Sequence, residues 1–490
     1  MIDNIARTGR KMVTIVDPHI KIDNNYPVYK SIKDTGLMVK NKDGRDFEGW
    51  CWPGNSGYPD FTNPAMRELW AKHFSYDKYI GSTQNLFTWN DMNEPSVFNG
   101  PEVTMHKDAK HMDDWEHRHV HNLYGLYVHK ATFDGQIHRN SEVNKLVDRP
   151  FVLSRAFYVG TQTAGAIWTG DNKADWDHMR YSVPMCLSVG VSGIPFVGAD
   201  VGGFFGNPSV ELLVRWYQTA TTQPFYRAHA HIDSKRREPW LFGETALDQI
   251  RIALRFRYRI LNYIYNYFYE THKTGNPIMR PIFWEFPQEE NFFGEENEWM
   301  TGDSLLSVVV PDEGQTKVDV NLPGNPNTDL WYKFPFEVKN FSENNVRRQF
   351  TIFKTGLHKS IPASLDDAMP VFLRSGKIIC TKERPRRNSE LMAYDPYTVY
   401  IALDQNFSAQ GSHFEDNYRS LRSTHTITHF EITAGSKELK ISFEGNAKDG
   451  DYKTDIERIV VLLPNGQHKV IKTRGDFLTT SDNSVVKIIE

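Results

Sequence analysis

Apolar and polar residues alternate along the chain in two different ways. From the first residue to about residue 275, short apolar runs alternate with longer segments of helical spacing, which is typical of βα units around a parallel sheet. Beyond that point, strand-like runs follow one another between Pro, Gly and Asn turns, as in a β-sandwich; examples are Ser304–Val310, Lys317–Leu322 and Asp329–Lys333. We therefore expect an α/β domain followed by all-β modules.

A long helix is predicted at the end of the α/β part, over Gly243–Lys273. Its apolar residues recur at steps of 3, 4 and 7, and Gly275 provides a stop after it. A second all-β module is predicted after the charged stretch Lys382–Arg387, because Lys437–Glu444 and Arg458–Leu463 again have strand patterns. The expected domains are residues 1–275, 276–380 and 381–490.

Six of the apolar runs in the first part end in or near charged or titratable side chains. In a βα barrel the carboxyl ends of the strands meet around one opening, so such side chains would converge there. A single Asp after a strand often only caps a helix or closes a turn, but six polar ends in succession favour a binding or catalytic site. The pairs are Val13–Val16 with Asp17, Leu86–Trp89 with Asn90 and Asp91, Phe151–Leu153 with Ser154 and Arg155, Ala166–Trp168 with Asp171, Ile194–Val197 with Asp200, and Pro224–Tyr226 with Arg227 and His229.

Aromatic residues accompany these polar strand ends. An aromatic face can lie against the C–H face of a sugar ring while carboxylates bind the sugar hydroxyls. Ordinary core packing is the alternative for each of these rings. The rings in question are Trp50, Trp52, Trp89, Trp168 and Phe204.

Asp91 and Asp171 are the best candidates for a catalytic carboxylate pair, because each follows an apolar strand. An ionised carboxylate can attack an anomeric carbon, and a protonated neighbour can give its proton to the leaving oxygen. Arg155, on the strand between them, could keep Asp91 ionised. The spacing alone leaves open which Asp is the nucleophile.

Composition argues against several other classes of protein. The 57 Lys and Arg residues against 61 Asp and Glu residues give a net charge of −4, and no long basic run is present, so nucleic acid is not an expected partner. We find neither a long apolar run suited to a membrane span nor an apolar segment after Met1–Met12 that would make a secretion signal. Three scattered cysteines are too few for a disulfide framework or a thiolate metal site.

Two longer segments resemble the signatures of the family 31 glycoside hydrolases. Trp89–Asn99 (WNDMNEPSVFN) resembles the family's nucleophile signature, and Trp168–Asn172 (WTGDN) is similar to its acid/base signature. The resemblance covers most of residues 1 to about 425. Further matching segments are Ile15–Ile20, Glu48–Gly54, Tyr58–Pro64, Gly198–Phe205 and Arg227–His231.

This resemblance implies a retaining exo-α-glucosidase that works by double displacement. It implies Asp91 as nucleophile and Asp171 as general acid and then base. It implies no metal and no organic cofactor. The substrate-binding residues it implies are Asp17, Trp52, Trp89, Met92, Arg155, Trp168, Asp200, Phe204 and His229.

The resemblance also implies the fold class. The family's barrel has eight strands after an N-terminal β-sandwich, whereas this chain opens on the helix before the third strand. We expect a (β/α)8-type TIM barrel that lacks its first two strands, followed by two C-terminal all-β sandwich modules. The second strand normally supplies another acidic residue, so the chain is expected to be either a fragment of a longer protein or impaired in binding.

Asn99–Met105 (NGPEVTM) and Arg236–Trp240 (RREPW) are similar to family members that trim glucose from N-glycans in the endoplasmic reticulum. This narrower resemblance implies a glucose-terminated oligosaccharide or N-glycan as substrate. It also implies a non-catalytic β subunit as partner and a location in the lumen of the endoplasmic reticulum.

Two other interpretations stay open at this point. A metal-dependent barrel hydrolase could use His229, His231 and Asp200, and the histidines of His106–His121 could hold zinc, although that segment looks more like an exposed loop and helix start. Alternatively, the chain could be a truncated, catalytically impaired carbohydrate-binding protein that keeps the motifs.

Overall fold

The computed structural model describes residues 1–141, 147–447, 455–472 and 484–488 of the chain. Its contacts divide the chain into two units. The first unit comprises Met1–Trp168 and Arg419–Arg422, and the second comprises Thr169–Tyr418 and Ser423–Glu490. The segment Arg419–Arg422 contacts the first unit: Arg419 forms an ion pair of 2.9 Å with Asp148, and the N–H of Leu421 donates to the carbonyl of Val147 at 2.8 Å.

The first unit contains four helices and seven strands among its described residues. The helices are α1 (Ile2–Ala6), α2 (Pro27–Lys33), α3 (Pro64–Lys72) and α4 (His117–Ser141). The strands are β1 (Met12–Ile15), β2 (Ile20–Lys21), β3 (Glu48–Cys51), β4 (Gly54–Gly57), β5 (Leu86–Asn90), β6 (Val152–Ser154) and β7 (Ala166–Trp168). Short 3-10 turns lie at Pro101–Val103, Met112–Asp114 and Thr161–Thr163.

A parallel sheet of four strands organises the first unit, in the order β1–β5–β6–β7. Ile15 lies opposite Trp89, and Asn90 lies opposite Ser154, so neighbouring strands end at the same edge. All four strands were predicted to within two residues. A parallel register therefore delivers the residues that follow these strands to one edge of the sheet.

Helices α3 and α4 pack against each other over a buried aromatic core. Phe61 lies edge-on to Trp70 and to Tyr124, with ring centroids 4.9 and 5.6 Å apart. The indole N–H of Trp70 donates to the Thr132 hydroxyl at 3.0 Å, which satisfies a polar group inside the core. Gly135 allows this close approach, because a Cβ at that position would lie 2.5 Å from the Phe74 ring.

The second unit contains six helices and nineteen strands among its described residues, from β8 to β26. The helices are α5 (Trp176–Val191), α6 (Val210–Thr219), α7 (Glu244–Arg259), α8 (Leu261–Thr274), α9 (Ile282–Glu285) and α10 (Glu343–Gln349). Its first strands are β8 (Val197–Gly198), β9 (Asp200–Val201) and β10 (Arg227–Ala228), and β9 and β10 pair in parallel. Short 3-10 turns lie at Ala220–Thr222, Pro239–Leu241, Glu290–Phe292 and Glu390–Met392.

Two predicted strands differ from those observed. The apolar runs Ile194–Val197 and Pro224–Tyr226 contain Pro195 and Pro224, which have no N–H to give to a ladder. Pairing begins only where these runs end, at β8 and β10. The predictions identified the buried segments but placed the strands one to three residues too early.

The predicted helix Gly243–Lys273 is two helices, α7 and α8, interrupted at Ile260. The carbonyl of Arg259 accepts the backbone N–H of Lys382 at 3.1 Å, so it is engaged outside the helix. The predicted stop is correct, because Gly275 adopts the left-handed conformation (φ 80°) that ends α8.

The remaining strands form antiparallel and mixed sheets. They are β11 (Met279–Pro281), β12 (Glu298–Thr301), β13 (Leu305–Val308), β14 (Lys317–Leu322), β15 (Leu330–Lys333), β16 (Ile352–Lys354), β17 (Gly356–Pro362), β18 (Val371–Arg374), β19 (Lys377–Thr381), β20 (Tyr397–Ala402), β21 (Ala409–Glu415), β22 (Thr426–Ile432), β23 (Glu438–Gly445), β24 (Ile456–Leu462), β25 (His468–Lys472) and β26 (Ser484–Lys487). One sheet has the order β11–β12–β13–β18–β15–β16, β14 pairs with β17, and an eight-stranded sheet has the order β25–β24–β20–β19–β21–β22–β23–β26. The division at residues 275 and 380 stays a prediction.

The structure also shows the state of the cysteines and the character of the helices. Cys51, Cys186 and Cys380 are free and buried. None of the helices in the described ranges has the length and apolar character needed to cross a membrane.

Strand β12 carries a buried carboxyl, Glu298. The side chain is 4% exposed, and one oxygen accepts the backbone N–H of Asn321 at 2.8 Å. Burial, and to a smaller degree the charge of Glu295, raises the pKa of Glu298 from 4.5 to about 8 against the opposing effect of that hydrogen bond. The folded protein therefore keeps a proton that the unfolded chain releases between these two pH values.

We expect Glu298→Gln to stabilise the protein at pH 9 by roughly 1–3 kcal/mol, and to do so much less at pH 5. Stability from the protonated Glu298 is present below its unfolded pKa and is lost as the pH rises through about 8, whereas Gln cannot ionise. The measurement is the midpoint of thermal unfolding at both pH values. Glu296→Gln, an exposed neighbour, is the control. An equal effect of Glu298→Gln at both pH values would contradict the assignment.

Candidate active site

Asp91 and Arg155 meet at the carboxyl edge of the parallel sheet. Asp91 follows β5 directly and Arg155 follows β6 directly, and these two strands are neighbours. The Nη1 atom of Arg155 lies 3.0 Å from Oδ1 of Asp91, and both side chains are largely buried. A positive charge at this distance favours the ionised form of a carboxyl group.

Glu94 shares the same arginine, although it was not among the residues predicted from the sequence. Arg155 donates from Nε to Oε1 of Glu94 at 2.7 Å and from Nη2 to Oε2 at 3.2 Å. Burial alone would raise the pKa of Glu94, but the hydrogen bonds from Arg155 and Ser96 and the charge of Arg155 hold that pKa below its usual value. The available signal was the second carboxylate in the motif, three residues after Asp91.

Two asparagines fix the loop that carries these carboxylates. Asn90 donates to the carbonyl of Val16 at 2.9 Å, which ties the end of β5 to the end of β1. Asn93 donates to the Ser154 hydroxyl at 2.9 Å and accepts the backbone N–H of Ala156 at 3.0 Å, which ties the loop to the end of β6. The positions of the charged groups are thus set by neighbouring strand ends.

Met92 lies beside Asp91 in the left-handed region of backbone conformation (φ 59°). Its N–H donates to Oδ1 of Asp91 at 2.9 Å, and its sulfur lies 3.0 Å from Nη2 of Arg155. Met92 is buried, so its side chain packs beneath the ion pair rather than facing solvent.

Asp17, after β1, is the carboxyl of this group that resists ionisation. Burial and then the charge of Asp91 raise its pKa to about 7, with Arg155 acting in the opposite direction and Glu94 adding to the rise. His19 lies 3.7 Å from Asp17, and burial lowers the pKa of His19 to about 4, so the ring is neutral at pH 7. Among the residues described, Oδ1 of Asp17 is buried and has no hydrogen-bond partner.

The tryptophans of the first unit differ in exposure. Trp89 and Trp168 pack edge to face, with centroids 5.4 Å apart, and Trp168 is only 2% exposed. Trp52, in the β3–β4 turn, is 68% exposed and packs edge to face on Phe98 at 4.9 Å. Trp52 thus offers a ring surface to a ligand, whereas Trp168 is largely part of the core.

In the second unit, Asn172 anchors the loop that carries Asp171. Its side chain donates to the carbonyl of Asp200 at 3.1 Å and accepts the N–H of Phe204 at 2.9 Å. Asp171 itself is exposed. The loop after Asp171 is therefore held against the loop after β9.

Asp200, Phe204 and His229 lie together in the second unit. Asp200 is fully buried, and its Oδ1 accepts from Nε and Nη2 of Arg227 at 2.9 and 2.6 Å. Phe204 stacks on His229 with centroids 5.3 Å apart. Burial, followed by the charges of Arg227 and Arg237, lowers the pKa of His229 to about 4, so this ring is neutral at pH 7.

The predicted site residues thus fall into two groups. Asp17, Trp89, Met92 and Arg155 lie around Asp91 in the first unit, whereas Asp171, Asp200, Phe204 and His229 belong to the second. Trp52 and Trp168 also belong to the first unit. The pairing of Asp91 with Asp171 stays a prediction.

The residues of the metal interpretations are engaged elsewhere. Asp200 is bound by Arg227, and His229 and His231 pack on the ring of Phe204. Within the described ranges, no three His, Cys, Asp or Glu side chains are arranged to hold a metal ion. We expected the segment His106–His121 to be an exposed loop and helix start. Two of its histidines, His111 and His117, are buried instead.

Comparison with known proteins identifies related sequences and structures. The family model for the glycosyl hydrolases family 31 TIM-barrel domain matches residues 1–267, and that for the glycosyl hydrolase family 31 C-terminal domain matches residues 275–379. "Neutral alpha-glucosidase AB" of Dictyostelium discoideum is 49% identical over 95% of this chain and 48% of its own length. "Probable glucan 1,3-alpha-glucosidase" of Oryza sativa subsp. japonica is 47% identical over 96% of this chain and 50% of its own length.

Solved structures that resemble this protein include alpha-glucosidases as well. The crystal structure of Tris-bound glucosidase II alpha subunit has a TM-score of 0.86 and 39% identity, and the match covers 97% of this chain and 52% of that one. This chain spans about half the length of the curated relatives that it matches. The predicted succession of a TIM-barrel α/β part and β-rich C-terminal modules is confirmed.

Gly203 and Gly206, near the Asp171 loop, have similar backbone conformations but differ in how closely other atoms pack around them. Gly203 and Gly206 both adopt left-handed conformations, with φ of 79° and 81°. A Cβ on Gly203 would lie 2.3 Å from the backbone nitrogen of Ala174, whereas a Cβ on Gly206 would meet only the Ala174 side chain at 3.9 Å.

We expect Gly206→Ala to cost about 1–2 kcal/mol through backbone strain alone. Gly203→Ala adds a clash with backbone that cannot move aside cheaply, so it should cost clearly more. The measurement is the midpoint of thermal unfolding of each variant. Equal shifts for the two variants would show that the two loops do not pack as described.

Proposed function

Because this chain belongs to family 31 of the glycosyl hydrolases, we propose that it carries the catalytic machinery of a retaining exo-α-glucosidase. The proposed reaction releases terminal α-linked glucose from an oligosaccharide. The observation that carries the proposal is the ion pair of Arg155 with Asp91 at the carboxyl edge of the parallel sheet.

In the proposed mechanism Asp91 is the nucleophile. Arg155 and the N–H of Met92 hold its Oδ1 and favour the carboxylate form. An oxygen of Asp91 attacks the anomeric carbon, and the bond from that carbon to the leaving oxygen breaks. Asp171 gives its proton to the leaving oxygen.

The second half of the reaction returns both groups to their first state. Asp171, now ionised, takes a proton from water, and the water oxygen attacks the anomeric carbon of the glycosyl ester on Asp91. The ester bond breaks and Asp91 leaves as a carboxylate. Two inversions at the same carbon retain the α configuration.

The other predicted residues are proposed to bind the terminal glucose. Asp17, whose pKa lies at about 7, can both accept and donate hydrogen bonds to sugar hydroxyls near neutral pH. His229 is neutral and can do the same, while the exposed ring of Trp52 and the half-buried ring of Phe204 suit the C–H face of the sugar. Trp89, Trp168 and Asp200 complete the proposed set of glucose-binding residues.

The substrate and setting are proposed from the relatives. Their printed names include neutral alpha-glucosidase AB and the alpha subunit of glucosidase II, so we propose glucose-terminated N-glycans as substrate and the lumen of the endoplasmic reticulum as location. One similar structure is a heterodimer of a catalytic subunit with the binding domain of a regulatory subunit. A non-catalytic β subunit is the proposed partner.

Trapping tests the nucleophile. We expect 5-fluoro-α-glucosyl fluoride to form a stable ester on Asp91, because the electron-withdrawing fluorine slows hydrolysis of the glycosyl ester. The label is located by mass spectrometry of proteolytic peptides, with Asp91→Asn as the unlabelled control. Labelling of another residue, or turnover without any label, would overturn the assignment. Sugar binding by calorimetry without turnover would favour the carbohydrate-binding interpretation.

Leaving-group dependence tests the acid. We expect Asp171→Asn to lower kcat/KM for oligosaccharides by about 10²–10⁴-fold, and to affect activated aryl α-glucosides least, because those leaving groups need little protonation. Asp175→Asn is the matched control, since Asn can cap α5 as Asp175 does through the N–H of His178. Equal losses for both substrate types would argue against Asp171 as the acid.

A further inference from the structure

Four titratable side chains of the first unit form a continuous hydrogen-bonded chain. Nδ1 of His111 lies 2.7 Å from Oδ1 of Asp60, Nε2 of His111 lies 2.9 Å from Nδ1 of His117, and Nε2 of His117 lies 2.7 Å from Nδ1 of His121. His117 is 1% exposed, while His121 is only half-buried. We call Asp60, His111, His117 and His121 the imidazole relay.

Asp60 determines which atom donates and which accepts in each hydrogen bond of the imidazole relay. Besides His111, it accepts from the hydroxyl of Thr62 at 2.6 Å and from the N–H of Met112 at 2.7 Å. Burial alone would raise its pKa, but these donors and His111 hold the pKa of Asp60 below its usual value. Asp60 is therefore an ionised acceptor at neutral pH, and Nδ1 of His111 must carry a proton.

The same constraint passes from ring to ring. In a neutral His111, Nε2 is an acceptor, so Nδ1 of His117 must donate to it. By the same argument Nε2 of His117 accepts from Nδ1 of His121. All three neutral rings thus share the Nδ1–H tautomer, and the one acceptor left at the end of the relay is Nε2 of His121.

A proton that enters at Nε2 of His121 can move inward by two balanced proton transfers. His121 gives its Nδ1 proton to Nε2 of His117, and His117 gives its Nδ1 proton to Nε2 of His111. His111 then carries protons on both nitrogens, while His117 and His121 are neutral again but have become Nε2–H tautomers. After the uptake at His121, the number of protons on the imidazole relay stays constant.

The charge rests on His111 because of what surrounds each ring. His111 touches the carboxylate of Asp60, whereas His117 starts α4, where the helix dipole disfavours a cation. Burial, with the neighbouring His111 and His121, lowers the pKa of His117 to about 3. A protonated His111 would thus form an ion pair with Asp60.

Other groups around the relay do not compete for this proton. Tyr124 packs edge-on to His111 and His117, and burial and the charge of Asp60 raise its pKa, so it stays neutral. Lys110 pairs with Glu116 at 3.3 Å, and Arg118 lies 2.8 Å from the same carboxylate. Burial lowers the pKa of His121, and the charges of Glu94 and Glu102 oppose part of this shift.

We propose that the imidazole relay is a pH-sensitive proton store, which takes up one proton at His121 and holds it as a His111–Asp60 ion pair under the loop that follows Asp91. The stored proton places a positive charge beside Asp60, the carboxylate that also accepts the N–H of Met112 in this loop. The relay therefore makes the electrostatic anchoring of the loop depend on solution pH. The proposal concerns residues outside the proposed catalytic set and does not depend on the glucosidase activity.

Long-range ¹H–¹⁵N NMR correlations of the protein with ¹⁵N-labelled histidine test the relay, because they report the tautomer of each ring. We expect His111, His117 and His121 all to be Nδ1–H tautomers at alkaline pH. On acidification, His111 should become doubly protonated while His117 and His121 become Nε2–H tautomers, with one common midpoint. Different midpoints for the three rings, or an Nε2–H tautomer of His117 at alkaline pH, would overturn the proposal.

Two phenylalanine variants provide the matched comparison. His117→Phe keeps a ring in the core but breaks the relay, so His111 and His121 should then titrate with separate midpoints. His119→Phe changes an exposed histidine that packs on Trp115 outside the relay, and it should leave the common midpoint unchanged. If His117→Phe does not fold, His121→Phe serves instead. It should shift the midpoint of His111, which does not bond to residue 121, and an unchanged midpoint would overturn the relay.

Discussion

The candidate site of the first unit depends on the ion pairs that the guanidinium of Arg155 forms with two carboxylates. One guanidinium at the end of β6 holds two carboxylates of the β5 loop, Asp91 and Glu94, and a third carboxyl, Asp17, follows β1. One positive charge does not balance three partly buried carboxylates, so one of the three carboxyl groups resists ionisation. Asp17 is that group, because it has no direct contact with the arginine and its pKa lies at about 7. The division of roles among chemically similar acids thus follows from which of them the arginine reaches.

Much of the fold could be predicted because its signals are local. Strands β1, β5, β6 and β7 are short, mostly apolar runs, and the Gly275 stop is a local backbone property. The break between α7 and α8 could not be predicted, since it reflects contacts with residues far along the chain: the Arg259 carbonyl accepts from Lys382. The shifted strands near Pro195 and Pro224 show the opposite case, because a local rule about proline would have corrected the prediction.

The candidate site was predictable to a similar extent. Strand-end positions pointed to Asp17, Asp91 and Arg155, and the neighbouring aromatic residues included Trp52, whereas Met92 came from the family resemblance. Glu94 was missed because a sequence does not show which carboxylate of a motif an arginine will hold. The histidine-rich segment was predicted to be exposed because its neighbouring residues are charged. The burial of His111 and His117 could not be predicted, because it depends on contacts such as that of His111 with Asp60, 51 residues away in the sequence.

The side chain of Arg259 links parts of the second unit that are distant in sequence. It is almost fully buried between the rings of Phe334 and Tyr400, and it pairs with Glu383, which lies 124 residues further along the chain. A buried guanidinium without its carboxylate is strongly unfavourable, so the stability of the junction of α7 and α8 depends on Glu383, which follows β19. Truncation before Glu383 would leave this guanidinium without its carboxylate, which couples the helical junction energetically to the β-rich part of the unit.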